Sequence, residues 1–188
     1  MMTLSELKTR INLLTPRPDP TLPRHAHAAA VLMPIVEGSC GLELILTRRS
    51  LELRHHPGQV SFPGGRFDST DASLWHTALR ESWEEIGLLP HLCQPLGQLE
   101  AQYTVSGFAL TPFIGLVSGQ PSFKLNPSEV AAVFQVPLDY LLDLRHHHIF
   151  RLNRQGQEHE VIFIRWQQVW IWGITARVIH NFSKQIAR

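Results

Sequence analysis

Residues 64–88, GGRFDSTDASLWHTALRESWEEIGL, leave few folds open to this chain. Gly64 and Gly65 follow Pro63 and mark a chain reversal, because glycine reaches backbone angles closed to other residues. Asp71 is placed to cap a helix by accepting orphan amide protons of its first turn, and Gly87 suits the left-handed stop at its end. At about 100° per residue, Glu81, Glu84 and Glu85 fall within an arc of roughly 100°. Ala72, Trp75, Leu79, Trp83 and Ile86 fall opposite, so the pattern predicts a buried apolar stripe with three carboxylates held in the open.

Like charges four residues apart repel, so such a patch costs stability unless a cation sits among them. Hard divalent cations take carboxylate oxygens and keep waters and substrate phosphates as further ligands. The chemistry indicated is metal-assisted attack on a phosphate. Taken alone, an E-x-x-E-E run is most often a solvated helix face. Here the glycine turn, cap, helix and stop agree with one another.

Gly65, Arg80, Glu81, Glu84, Glu85, Gly87 and Leu88 match in order the Nudix signature G-x5-E-x7-R-E-U-x-E-E-x-G-U, with U a bulky apolar residue, and the chain resembles that family. Three departures stand out. The early glutamate is best matched by Asp71, the interval from Asp71 to Arg80 is one residue longer, and the U after Glu81 is Ser82. The first two bear on the contact between this acid and Arg80, which orients the catalytic helix in the family. Residues 45–65, ILTRRSLELRHHPGQVSFPGG, resemble the additional signature of the coenzyme A pyrophosphatase branch, with Ile45 where leucine is usual. Trp172–Ala176, Glu129-Val130, Phe134 and Pro137-Leu138 extend the likeness, which covers residues 28–180.

A chain of 188 residues is most simply one domain with one adequate core. The expected division is an N-terminal helix and proline-rich connection over 1–27 and a catalytic domain over 28–188. A net charge of +1 implies no general polyanion-binding field, so no nucleic-acid partner is expected. Cys40 and Cys93 make neither a disulfide framework nor a metal-ligand spacing. The N-terminus has no apolar core of signal-peptide length and no run approaches a membrane span, so the expectation is cytoplasmic, without membrane partner.

Leu4, Leu7, Ile11 and Leu14 predict a helix within 3–14, and Thr15–Pro23 an irregular connection. Strands are expected at 28–36, 42–48, 59–62, 93–105, 110–117, 149–152 and 161–166, with turns at 37–41, 106–107 and 153–157. A short turn or helix is expected at 127–133, and helices at 137–144 and 172–186. Alternating strands and helices indicate a layered α/β fold. The Nudix resemblance implies the specific version, a mixed, curved β-sheet sandwiched between α-helices.

Glu81 and Glu85, one turn apart, are assigned as the main ligands of Mg²⁺ or Mn²⁺, with Glu84 as a third. The resemblance adds the Gly65 carbonyl as a ligand and proton transfer from water to one of the glutamates, with ligand and base left unseparated. Arg80 points away from the carboxylate arc on this reading and braces the helix against the preceding loop. Arg48, Arg49, Arg54 and His56 are the candidates for substrate phosphate, because arginine presents a planar donor fork; the alternative is pairing with Glu43 or Glu52 on the surface, or with the carboxylates of the Nudix signature. Glu129 is read either as a further site acid or as a cap. His146-His147-His148 cannot all face one ion on a regular element, and Trp166, Trp170 and Trp172 are read as packing residues.

The resemblance implies a Mg²⁺- or Mn²⁺-dependent enzyme cutting the diphosphate of coenzyme A or its thioesters into adenosine 3′,5′-bisphosphate and 4′-phosphopantetheine or its acyl form. Two other readings stay open: a diphosphatase for another nucleoside diphosphate derivative such as ADP-ribose or a dinucleotide, and a Nudix-fold module that binds a nucleotide without cleaving it. The sequence leaves the oligomeric state unassigned.

Overall fold

The computed structural model describes residues 1–14, 27–39, 41–104, 106–154 and 157–186. The connection expected at 15–23, Cys40, Val105 and the turn residues 155 and 156 lie outside them. Among the described residues eight strands form one sheet, whose main path runs β3 (Val60–Ser61), β2 (Gly41–Arg49), β1 (His27–Gly38), β7 (Phe108–Val117), β5 (Cys93–Gln98). Further strands add to it: β4 (Gly64–Arg66) on β1, β6 (Gln102–Tyr103) on β7, and β8 (Val130–Pro137) on β2. The sheet is mixed, because β1 and β7 run parallel from His27↔Phe108 to Val36↔Val117 while the other pairs are antiparallel. A second sheet is ordered β11 (Val169–Trp172), β10 (Gln157–Trp166), β9 (His147–Arg154).

Strand alternation divides the core into two layers. Val31, Met33 and Ile35 of β1 and Leu42, Leu44 and Leu46 of β2 meet α1 (Leu4–Asn12), α4 (Gly173–Ile186) and the inner face of the second sheet. Ala30, Leu32, Val36 and Ile45 face α2 (Leu74–Ile86) instead. The expected α/β sandwich, a sheet between helices, is therefore present. Helix α1 opens on a capping box between Thr3 and Glu6, and its Leu7 and Ile11 are buried in the same cluster as β1 and α4. No helix of the described residues is long and apolar enough to cross a membrane.

Several boundaries differ from the sequence pattern. The segment 127–133 is a turn that becomes strand β8 at Val130, which pairs with β2 up to Glu43↔Pro137. Helix α3 is only Leu138–Leu142. The stretch 93–105 is divided between β5 and β6, with Pro95 and Gly97 at a register shift. Trp172 belongs to β11, a strand hidden because Gln167, with φ of 52°, turns the chain straight back on β10. The packing expected of the tryptophans fails for Trp83, Trp170 and Trp172, all 40% or more exposed, while Trp166 meets Tyr140 edge-on.

Candidate active site

Helix α2 lies across β1 and β4 because Ala78, Leu79 and Ile86 bury against Ala30, Leu32 and Ile45. Its cap is Ser73, whose Oγ accepts from His76 N, rather than Asp71. Gly87 ends it with φ of 71°. Ser82 is fully buried, and its hydroxyl donates to Ala78 O at 2.6 Å, so a small polar residue is tolerated where a bulky apolar one is usual. The helix is rolled relative to the expected stripe. Trp83 is 53% exposed, whereas Glu85, expected in the open, is 7% exposed.

Arg80 is the hub of the site. Its Nε and Nη2 donate to Asp71 Oδ1 and Oδ2 at 2.9 and 3.0 Å, so the pairing closes across the longer interval and the shorter acid. Asp71 is further held by Thr77 Oγ1 and by Asp68 N. Arg80 Nη2 also donates to Arg66 O, which ties the helix to the strand leaving the glycine turn. The arginine does not turn away from the carboxylates as its helical angle suggested: Nη1 donates to Glu81 Oε1 at 2.9 Å and to Glu84 Oε2 at 3.0 Å. Its length lets the guanidinium curl over the helix surface, which a projection of Cα positions cannot register.

The glycine turn fits under these glutamates for steric reasons. A Cβ on Gly64 would lie 2.6 Å from Val31 Cα, and one on Gly65 would lie 2.5 Å from Glu81 Oε2. Gly64 also donates its N–H to the Glu85 carboxylate. Burial, then the neighbouring charges of Glu81 and Glu129, push the Glu85 carboxyl up to about 8. Burial likewise raises Glu81, opposed by its bond to Arg80. Glu129 thus stands within electrostatic reach of both, while its backbone carbonyl accepts from Ser50 N at 2.8 Å.

The four basic candidates separate. Arg49 sits where β2 meets a bulge in β8, and its charge is felt by Glu85. Its Nε is buried without a hydrogen-bond partner, as is Glu85 Oε2. Arg48 alternates to the other face of β2. Arg54 and His56 are exposed on the turn between β2 and β3, and His56 takes φ of 55°. None of the three arginines pairs with Glu43 or Glu52 among the described residues. The histidine triplet splits three ways: His146 stacks on Tyr140, His147 is buried against His180, and His148 is exposed.

Among the described residues no three His, Cys, Asp or Glu side chains already converge on one point, since Arg80 draws Glu81 and Glu84 to itself. The donor set nevertheless suits a hard divalent cation. It is all oxygen, it includes a buried carboxylate oxygen without partner, and the lack of a side chain at Gly65 lets the Glu81 carboxylate lie against the turn. Gly64 was read as part of the turn but not as a partner of Glu85, and the residues that sequence reading missed are Ser73, Thr77 and the Arg66 carbonyl. Only Ser73, as a capping residue just before the apolar pattern, left a usable signal.

The NUDIX domain model matches residues 25–170. The "Uncharacterized Nudix hydrolase NudL" of Photorhabdus laumondii is 43% identical over 188 residues, covering 99% of both chains. Among solved structures, a Caenorhabditis elegans Ap4A hydrolase binary complex superposes with TM-score 0.52 at 18% identity, over 59% of this chain and 80% of that one. The NUDIX domain of Shewanella oneidensis NrtR, complexed with ADP ribose, superposes with TM-score 0.50 at 19% identity, over 75% and 87%. At those identities the superpositions speak for the fold alone, and the sequence matches carry the assignment: this chain belongs to the Nudix hydrolase family.

Proposed function

We propose that this Nudix hydrolase cleaves the diphosphate bond of coenzyme A or its thioesters, giving adenosine 3′,5′-bisphosphate and 4′-phosphopantetheine or its acyl form. The observation that carries this reading is the run 45–65, which resembles the coenzyme A pyrophosphatase signature and brings both Arg49 and the glycine turn near the carboxylates. Glu81 and Glu85, with Glu84 and the Gly65 carbonyl, are the residues that would hold Mg²⁺ or Mn²⁺. Bound there, such an ion supplies charge neutralisation of the phosphates and a more acidic water.

The chain's own residues do the rest. Water adds to one phosphorus of the diphosphate, the bond from that phosphorus to the bridging oxygen breaks, the departing phosphate keeps the bridging oxygen, and the proton of the attacking water passes to one of the glutamates. Glu85 must give up the proton that its buried carboxyl holds at neutral pH before the site is charged for binding. Arg49 has a buried donor awaiting an acceptor, and a diphosphate oxygen fits that need. Arg54 and His56, exposed on the adjoining turn, are on this reading the residues that would meet the 3′-phosphate. Arg80 positions α2 against the turn through Asp71 and Arg66.

The test is product analysis in ¹⁸O water with coenzyme A, its 3′-dephospho form, ADP-ribose and a dinucleotide, using the unaltered chain and Glu85→Gln. Coenzyme A should be preferred and the variant should lose turnover. Preference for substrates lacking the 3′-phosphate would move the assignment to another diphosphatase. Equal product formation by the variant would exclude the carboxylate mechanism, and binding without cleavage by the unaltered chain would make it a nucleotide-binding module.

A further inference from the structure

An antiparallel sheet packed on a core by one face usually alternates apolar inside and polar outside. The second sheet does not. Its inner face places Ile162, Ile164 and Ile171 in the core at 5% exposure or less. Its outer face, set by the register Phe163↔Trp172, Arg165↔Trp170 and Val161↔Phe150, is aromatic as well. Phe163 lies at its centre with Phe150 edge-on at 5.4 Å, Trp170 edge-on at 6.4 Å and Trp172 stacked at 6.4 Å. Phe150 and Leu152 are each 56% exposed, Trp170 49% and Trp172 40%. Arg165 lies over Trp170 at 5.5 Å from the ring centroid.

The geometry points to this outer face as a two-fold interface with a second copy of the chain. A sheet apolar on both sides is built to be covered on both sides. With roughly 150–250 Å² per buried aromatic, the exposed parts leave on the order of 500 Å² of apolar surface. Pairing two such faces would then remove on the order of 1,000 Å², where specific interfaces begin. The composition agrees: aromatic residues and arginine are enriched at protein interfaces. The area that pairing would remove is what commits this face to a second copy, and an isologous contact closes on itself.

Sedimentation equilibrium of the full chain over a wide concentration range tests this directly. The expected result is a reversible two-chain species, with Phe150→Lys and Trp170→Lys each weakening it at least about tenfold, as loss of an interface anchor does. Both sites are exposed, so circular dichroism and melting temperature should hold. In the unaltered chain, tryptophan emission should shift to the blue as concentration crosses the transition, a readout that needs no variant. A monomer at all concentrations overturns the inference, as does a dimer that both variants leave intact. Capture of phospholipid vesicles by a monomeric chain, abolished by the same variants, also overturns it and reassigns the face to lipid.

Discussion

Replacing Asp71 by Asn keeps the shape of the side chain and removes the charge that Arg80 grips with two donors. Asp71 is 5% exposed and Arg80 29%. Removing one partner of a fully buried pair costs about 3–5 kcal/mol. Because Arg80 retains some water and two glutamates, a loss of about 2 kcal/mol is the better expectation. For a chain of this size that corresponds to a fall in Tm of about 4–8 °C. The pH dependence gives a second handle. Hydrogen bonds from Arg80, against the opposing effect of burial, hold the Asp71 carboxyl well below the usual carboxylate range. A carboxylate depressed on folding contributes fully above its unfolded pKa, near 4, and loses that contribution as pH falls through its folded value. The gap in Tm between Asp71→Asn and the unaltered chain should therefore be full at pH 7 and narrow in acid. Differential scanning calorimetry from neutral to acid pH measures it. Equal melting at pH 7, or a gap that widens on acidification, would refute the claim that this pair locks α2 to the turn.

Four further outcomes are expected. Glu85→Gln should raise the melting temperature of the metal-free chain above pH 8, because a carboxyl raised to about 8 costs stability progressively as pH climbs from its unfolded value toward that figure; a stability loss there, seen by thermal shift, would contradict it. By the same reasoning, divalent-ion affinity measured by calorimetry should rise from neutral pH to above 8 and then level off, and the hydrolysis rate should rise toward alkaline pH, a maximum near pH 5 being the contrary result. Gly65→Ala should displace Glu81 and lower that affinity by about tenfold or more, with stability little changed, as titration and melting would together reveal.

The helix and its glutamates were legible because periodicity and punctuation are local. Glu81, Glu84, Glu85, Arg80 and Gly65 do come together, yet their environments were not readable. Helical angle placed Glu85 in the open and Trp83 inside, and the sheet decides the opposite by the angle at which α2 lies on it. Reach defeated the projection again at Arg80, whose long side chain crosses to carboxylates its Cα does not face. Arg48 and Arg49 are neighbours in sequence but part company because a strand alternates. Strands β8 and β11 escaped notice because their evidence lies in partners distant along the chain, Glu43 to Arg49 for the first, and in an unusual turn at Gln167 for the second.

The parallel pairing of β1 with β7 has a consequence for how the protein comes into being. Strand β1 takes β2 and β4 as early neighbours, but its longest ladder is with residues 108–117. During synthesis, the glycine turn and all of α2 leave the ribosome before that ladder can zip, so the acidic helix rests on a half-built platform. A ribosome pausing between residues 87 and 108 would hold a nascent chain with Glu81, Glu84 and Glu85 already made and no rigid floor beneath them.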